Sequence, residues 1–136
     1  ILDAGSLHYG TEVLMDKVDY LITSKKFAVG FCEKNDLNES ARLLSAYSDY
    51  VVVTDGDNGL YWNAQGSHGH IPAYHINCMN SNGAGDVFHG AFAYGVSHKF
   101  NFIDNLHFAA KTAALSCTSQ NITDNIPSAE VILKSL

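Results

Sequence analysis

Cysteine and positive charge are the two things this sequence has little of. Its three cysteines, Cys32, Cys78 and Cys117, are odd in number and far apart. That points away from a disulfide framework and toward reduced thiols in a cytosolic protein, used as small core residues. Eight Lys and Arg stand against 14 Asp and Glu, for a net charge of −6. Lys17, Lys25, Lys26 and Lys34 form no dense basic patch, so no nucleic-acid partner is expected. Long apolar runs are missing too, and none reaches the roughly 18 residues of a membrane-spanning helix. No secretory signal pattern opens the chain and no G-x-x-x-x-G-K-[ST] phosphate loop occurs in it. No internal repeat or low-complexity linker divides it. The expected location is the cytoplasm, with no membrane partner.

What is there is the composition of a folded domain, 46% apolar and 16% charged. The chain begins Ile1-Leu2-Asp3-Ala4-Gly5, without Met, on what reads as a strand already under way. The expectation is the C-terminal part of a longer protein. Residues 1–4 predict a short buried strand, 11–17 a weak helix and 18–23 a second strand, the spacing of a βαβ step. Ser24 caps a helix running to about Phe31. Asp36 and Glu39 fit a capping box ahead of Leu37, Ala41 and Leu44 at helical spacing. Tyr50-Val51-Val52-Val53-Thr54 predicts a strand buried on both faces of a parallel sheet. Residues 60–63, 68–71 and 74–78 read as further strands at an antiparallel edge. From Gly83 onward the pattern is helical: 84–98, then a helix capped by Asp104 and rich in small residues, then one opened by Pro127 and Ser128. The expected fold class is α/β, in one domain.

Chemistry concentrates in Asn80-Ser81-Asn82-Gly83-Ala84-Gly85-Asp86, a polar turn with two glycines that runs into an apolar helix. The first N–H groups of a helix have no partner within it, and aligned peptide dipoles leave partial positive charge there. Such an end receives a phosphate or a developing oxyanion. Gly83 and Gly85 allow a tight turn and leave no Cβ in a ligand's way. An acid is out of place at an anion site unless it takes a proton. Asp86 therefore suits a general base acting on a nucleophile that approaches the phosphate. The plainer alternative is a strand–turn–helix corner whose Asp86 is an N-terminal helix acid.

Together with Thr54-Asp55-Gly56-Asp57-Asn58-Gly59, this stretch resembles the ribokinase-like carbohydrate kinases, the PfkB family, which carry D-T-x-G-A-G-D after a T-x-G-x-x-G turn. The resemblance covers essentially the whole chain. It looks nearest to the ketohexokinase and fructokinase-like branch, through Leu2-Asp3-Ala4-Gly5 and the run from Asp19 to Ala28. It implies a three-layer α/β/α, Rossmann-like sheet, mostly parallel with an antiparallel edge. Residues 1–136 would be the C-terminal, nucleotide-binding half of a ribokinase-like kinase domain. The implied reaction moves the γ-phosphoryl group of ATP to a sugar hydroxyl, with ATP and Mg2+ as cofactors.

By that resemblance Asp86 is the base, and the backbone amides of Gly83, Ala84 and Gly85 form the anion hole. Thr54, Gly56 and Gly59 lie along the ATP phosphates and ribose, while Ala110 and Asn121 border the adenine. Asn80, Ser81 and Asn82 make the loop beside the phosphates. The family's leading Asp is Asn80 here and its Thr is Ser81, positions that help hold a monovalent cation such as K+; Asn80 keeps an acceptor oxygen without the charge. The family's N-x-x-E, which helps organise Mg2+, reads Ser24-Lys25-Lys26-Phe27. The metal would then be held by nucleotide and water, and no protein ligand is assigned. A homodimer through the absent N-terminal half is compatible with the resemblance.

Other residues carry weaker alternatives. His68 and His70 share one face of a strand, a metal pair with no evident third ligand. His89 reads as a polar neighbour of the cleft, Cys78 as packing and Trp62 as cover for an edge strand. A nucleotide-binding but non-catalytic relative, serving as a regulatory or interaction module, is the second functional reading, prompted by Asn80, Ser24, Phe27 and Ala110. An NAD-type site fits G-x-G at Gly83 and Gly85 but meets Phe88 at the third glycine.

Overall fold

Apolar, β-branched runs set the sheet. The computed structural model describes residues 1–136, the side chain of Ile122 excepted. In chain order the elements are β1 (Leu2–Ala4), α1 (Tyr9–Leu14), β2 (Tyr20–Ser24), α2 (Lys25–Cys32), α3 (Leu37–Leu44), β3 (Tyr50–Thr54), β4 (Leu60–Ala64), β5 (Ser67–Ile71), α4 (Ala84–Ser97), α5 (Phe102–Ser116) and α6 (Ala129–Leu133). They gather into two units, Ile1–Pro72 and Ala73–Leu136.

The first unit is a mixed sheet in the order β1-β2-β3-β4-β5. β1, β2 and β3 pair in parallel, with Leu2 opposite Leu21 and Leu21 opposite Val51. Parallel neighbours need crossovers, supplied by α1 and then by α2 with α3; the antiparallel returns of β4 and β5 need only turns. β3 is central, and its Val51, Val52 and Val53 are at most 1% exposed. Leu21, Val51 and Val53 share a face by alternation and pack with Phe27, Ala28, Leu37, Ala41 and Leu44 in the core. At the edge, Trp62 lies over Gly69, its partner in register, where a Cβ would stand 2.9 Å from the indole.

Caps place the helices of this unit. The Ser24 hydroxyl accepts from Phe27 N–H at 3.1 Å, and the Asp36 carboxylate accepts from Asn38 and Glu39 N–H at 2.9 and 3.3 Å. Glu39 does not complete a capping box; it turns to Lys34 at 3.5 Å. α1 starts earlier than its apolar residues predict, because His8 and Thr11 cap each other: Nδ1 accepts from Thr11 N–H at 3.4 Å and Oγ1 accepts from His8 N–H at 3.2 Å.

In the second unit α4 ends in a Schellman motif. Phe100 N–H donates to the Gly95 carbonyl at 2.9 Å and Lys99 N–H to that of Val96 at 3.1 Å, with Lys99 at φ 61° where glycine is usual. The Phe100 ring meets Tyr94 and Phe108, which supplies the apolar contact of that motif. α5 is capped by Asn101, not Asp104: Asn101 Oδ1 accepts from Asp104 N–H at 2.9 Å, so the acid stands one turn inside. Residues 74–78 form no strand; Tyr74 shares a hydrogen bond with His107 Nδ1 at 3.0 Å instead. Among the described residues no helix is long and apolar enough to cross a membrane.

α4 and α5 meet at a place where one helix has no side chain. Asn105 is 1% exposed, donates to the Phe92 carbonyl at 3.0 Å, and puts Oδ1 1.8 Å from where a Gly95 Cβ would stand. Gly95→Ala should therefore cost about 1–3 kcal/mol of stability through overpacking, against alanine's better helix propensity. Denaturant unfolding of Gly95→Ala, Asn105→Ala and the double variant should show a double loss smaller than the sum of the single ones. A Gly95→Ala protein as stable as its parent would contradict this packing.

Candidate phosphate-facing site

The polar run 80–83 enters α4 without a side-chain cap. Gly83, in the capping place, sits at φ 88° and ψ 2°, left-handed backbone that glycine adopts freely. Ala84 N–H closes a turn on the Ser81 carbonyl at 3.1 Å, and Val87 N–H starts the helical ladder on the Gly83 carbonyl at 3.0 Å. The N–H groups of Gly83, Gly85 and Asp86 have no protein acceptor among the described residues. Of the three amides expected at the anion hole, that of Ala84 is thus engaged in the turn, and that of Asp86 joins the open set.

Two side-chain facts fit this opening. Nothing lies within 4 Å of a Cβ built on Gly85, so packing within the chain does not require glycine there. Asp86 is exposed in the first turn of α4, and its carboxylate has no hydrogen-bond or ion-pair partner among the described residues. One turn on, His89 Nδ1 lies 2.8 Å from the Gly85 carbonyl, so its ring is tied to α4 itself.

The loop is anchored from the far end of α5. Met79 and Asn80 N–H both donate to the Cys117 carbonyl, at 2.8 and 3.2 Å. Asn80 Nδ2 donates to the Gln120 carbonyl at 2.7 Å, while its Oδ1 accepts from Asn82 N–H at 3.0 Å. Asn121, expected near adenine, gives its amide to Asp124 at 2.9 Å, and Ala110 sits half-buried on α5. Burial pushes the Cys117 thiol up, and neighbouring Cys78 adds to the shift; burial likewise raises Cys32. Packing roles fit buried Cys117 and half-buried Cys32, whereas Cys78 is exposed, against the packing expected of it.

The remaining expected residues lie in the first unit. Thr54 closes β3, its hydroxyl donating to the Thr23 carbonyl at 3.2 Å. Gly56–Asn58 makes a 3-10 turn, with Asp55 N–H on the Gly59 carbonyl at 2.8 Å. Gly56 at φ 55° and Gly59 at φ 92°, ψ −136° hold backbone that glycine favours. Sequence reasoning missed the pairing of Asp55 with Lys25 at 3.1 Å, which joins this turn to the start of α2. The two residues are 30 apart, so no local pattern links them. His70 Nε2 is 2.8 Å from the Asn58 carbonyl, a structural use of that imidazole. Among the described residues no group of three or more His, Cys, Asp or Glu could hold a metal ion.

These features define an α/β chain whose glycine-led helix start leaves backbone donors open beside a bare acid. The chain belongs to the pfkB family of carbohydrate kinases, whose model matches residues 6–129. It is 29% identical over 103 residues to the ribokinase of Lactococcus lactis, covering 76% of this chain and 33% of that protein. The solved ribokinase of Thermotoga maritima matches with a TM-score of 0.80 at 26% identity, over 90% of this chain and 44% of that one. A protein from E. coli provisionally named ribokinase II, in complex with ATP and Mg2+, matches with a TM-score of 0.79 at 18% identity, over 90% and 40% of the two chains. The chain thus spans between a third and a half of the length of these proteins.

The open space at Gly85 separates ligand approach from stability. Gly85→Ala should leave thermal stability unchanged or raise it by up to about 1 kcal/mol, glycine being the poorer helix former. Any affinity of this helix start for inorganic phosphate should nevertheless fall, because a methyl then stands beside the open amides. Thermal unfolding and calorimetry on the full-length protein check the two halves; unchanged anion affinity would remove the reason for glycine at this position.

Proposed function

We propose that this chain is the nucleotide-binding, catalytic part of a cytoplasmic, ATP-dependent sugar kinase. The observation that carries the reading is the conjunction at the start of α4: N–H groups of Gly83, Gly85 and Asp86 and an exposed Asp86 carboxylate, all without a partner among the described residues. In the proposed reaction a sugar hydroxyl oxygen forms a bond to the γ-phosphorus of ATP. The bond from that phosphorus to the bridging oxygen breaks, and ADP leaves. The hydroxyl proton passes to the Asp86 carboxylate. Negative charge on the phosphoryl oxygens is met by the three backbone donors and the helix dipole, fixed charges that need no reorganisation during the reaction.

Thr54, Gly56 and Gly59 in the first unit, and Ala110 and Asn121 in the second, remain candidate nucleotide-binding residues on this reading. Mg2+ would be held mainly by the nucleotide and water, the usual habit of this ion, and would supply charge screening of the phosphates. The relatives' names support a sugar as the acceptor, and the neighbour's bound ATP and Mg2+ support the cofactors.

Asp86→Asn keeps size and helix position while removing the proton acceptor. In the full-length protein, assayed with MgATP and a panel of pentoses and ketohexoses, it should lower kcat by about 10²–10⁴-fold and leave MgATP affinity within a few-fold. A loss under about tenfold would contradict the base role. Nucleotide binding by the parent protein with no phosphorylated product from any sugar would favour a non-catalytic regulatory module instead.

A further inference from the structure

The family resemblance implies a monovalent cation beside the phosphate loop, at Asn80 and Ser81, and the residues present do not fit one. Such a cation needs oxygens with lone pairs to spare, and each backbone carbonyl has two. Near Asn80 many of those lone pairs already carry protein donors. At the end of α5, Ala113 O accepts from the Ser116 hydroxyl, Ala114 O from Cys117 N–H and Leu115 O from Asn125 Nδ2. Cys117 O accepts two N–H groups and Gln120 O accepts Asn80 Nδ2. Asn80 itself is neutral, and its amide orientation is fixed at both ends: reversing it would set oxygen against the Gln120 carbonyl and N–H against Asn82 N–H.

We infer that Asn80 replaces the cation, its amide bridging the phosphate loop to the Gln120 carbonyl, so that the enzyme works without K+. Asn80 is then a positioning residue for the open amides, acting through the Asn82 turn. The substitution that exposes this is Asn80→Asp. An aspartate would place a carboxylate oxygen against the Gln120 carbonyl oxygen at a separation of 2.7 Å in the present geometry. Two acceptors cannot remain that close without a cation between them or movement of the loop.

The inference rests on the kinase reading for its activity arm, so the experiment carries a second arm that does not. The full-length protein and Asn80→Asp are compared in KCl and in tetramethylammonium chloride at equal ionic strength, by sugar-dependent ATP turnover and by thermal unfolding. The parent should turn over and melt alike in both salts. Asn80→Asp should lose about 10- to 100-fold in turnover without K+, the scale of a displaced positioning element, and recover in KCl; its melting temperature should fall and recover in step. Asn80→Ala should show the loss without the recovery. A parent activated or stabilised by K+ over tetramethylammonium overturns the proposal, and so does an Asn80→Asp variant indifferent to K+. Melting reads the outcome even if no sugar is phosphorylated, which keeps failure of the kinase reading distinct from failure of this one.

Discussion

Backbone N–H groups must be paired or wet, and among the described residues the start of α4 leaves three of them, on Gly83, Gly85 and Asp86, without a protein acceptor. Most helices close that end with a Ser, Thr, Asp or Asn side chain. This one enters through a left-handed glycine that has no side chain to give. A side-chain cap would stabilise the helix and occupy the very donors that an anion needs. A side-chain cap and an anion would compete for the same hydrogen bonds, and this end carries no side-chain cap. Elsewhere it caps normally, with Ser24, Asp36, Asn101 and Ser128 all accepting from first-turn amides.

Holding an uncapped end in place then falls to other parts of the second unit. The Asn80 amide and the Met79 and Asn80 N–H groups fix the loop to the last carbonyls of α5. α5 is held in turn against α4, where Asn105 fills the space above Gly95. Packing between the two helices therefore bears on the loop before α4 through two steps, each built from buried or directional contacts that do not slide easily.

What was legible in the sequence was whatever is encoded locally. Val51-Val52-Val53 gave a strand buried on both faces because period and composition agree. Ser24, Asp36 and Ser128 gave their caps, and the glycines around Asp86 gave the open helix start. What was hidden depends on partners distant in sequence or on competition between neighbours. Asn101 outcompetes Asp104 as a cap because it stands one turn earlier with its oxygen free to fold back. Lys99 ends α4 in backbone that glycine usually supplies, since Phe100 gains aromatic contacts that offset the strain. The extended run 74–78 has the composition of a strand, yet finds Tyr74 a partner in His107 rather than a ladder. Ala84 shows the limit within a motif: its amide belongs to the same run as its neighbours', and only the Ser81 turn distinguishes it.

The charge of the loop follows from the same geometry. Between Asn80 and Asp86 the only ionisable side chain is Asp86, and every other contact is made by neutral amides. As the proposed base Asp86 would accept a proton as an anion, which would set one negative charge beside the phosphate. A second carboxylate would add repulsion at close range unless a cation neutralised it. A neutral asparagine avoids that requirement by being donor and acceptor at once, Nδ2 to Gln120 and Oδ1 from Asn82. On the proposed reading the loop would attract an anion through backbone dipoles, and the one charge left in it is that of the proposed base.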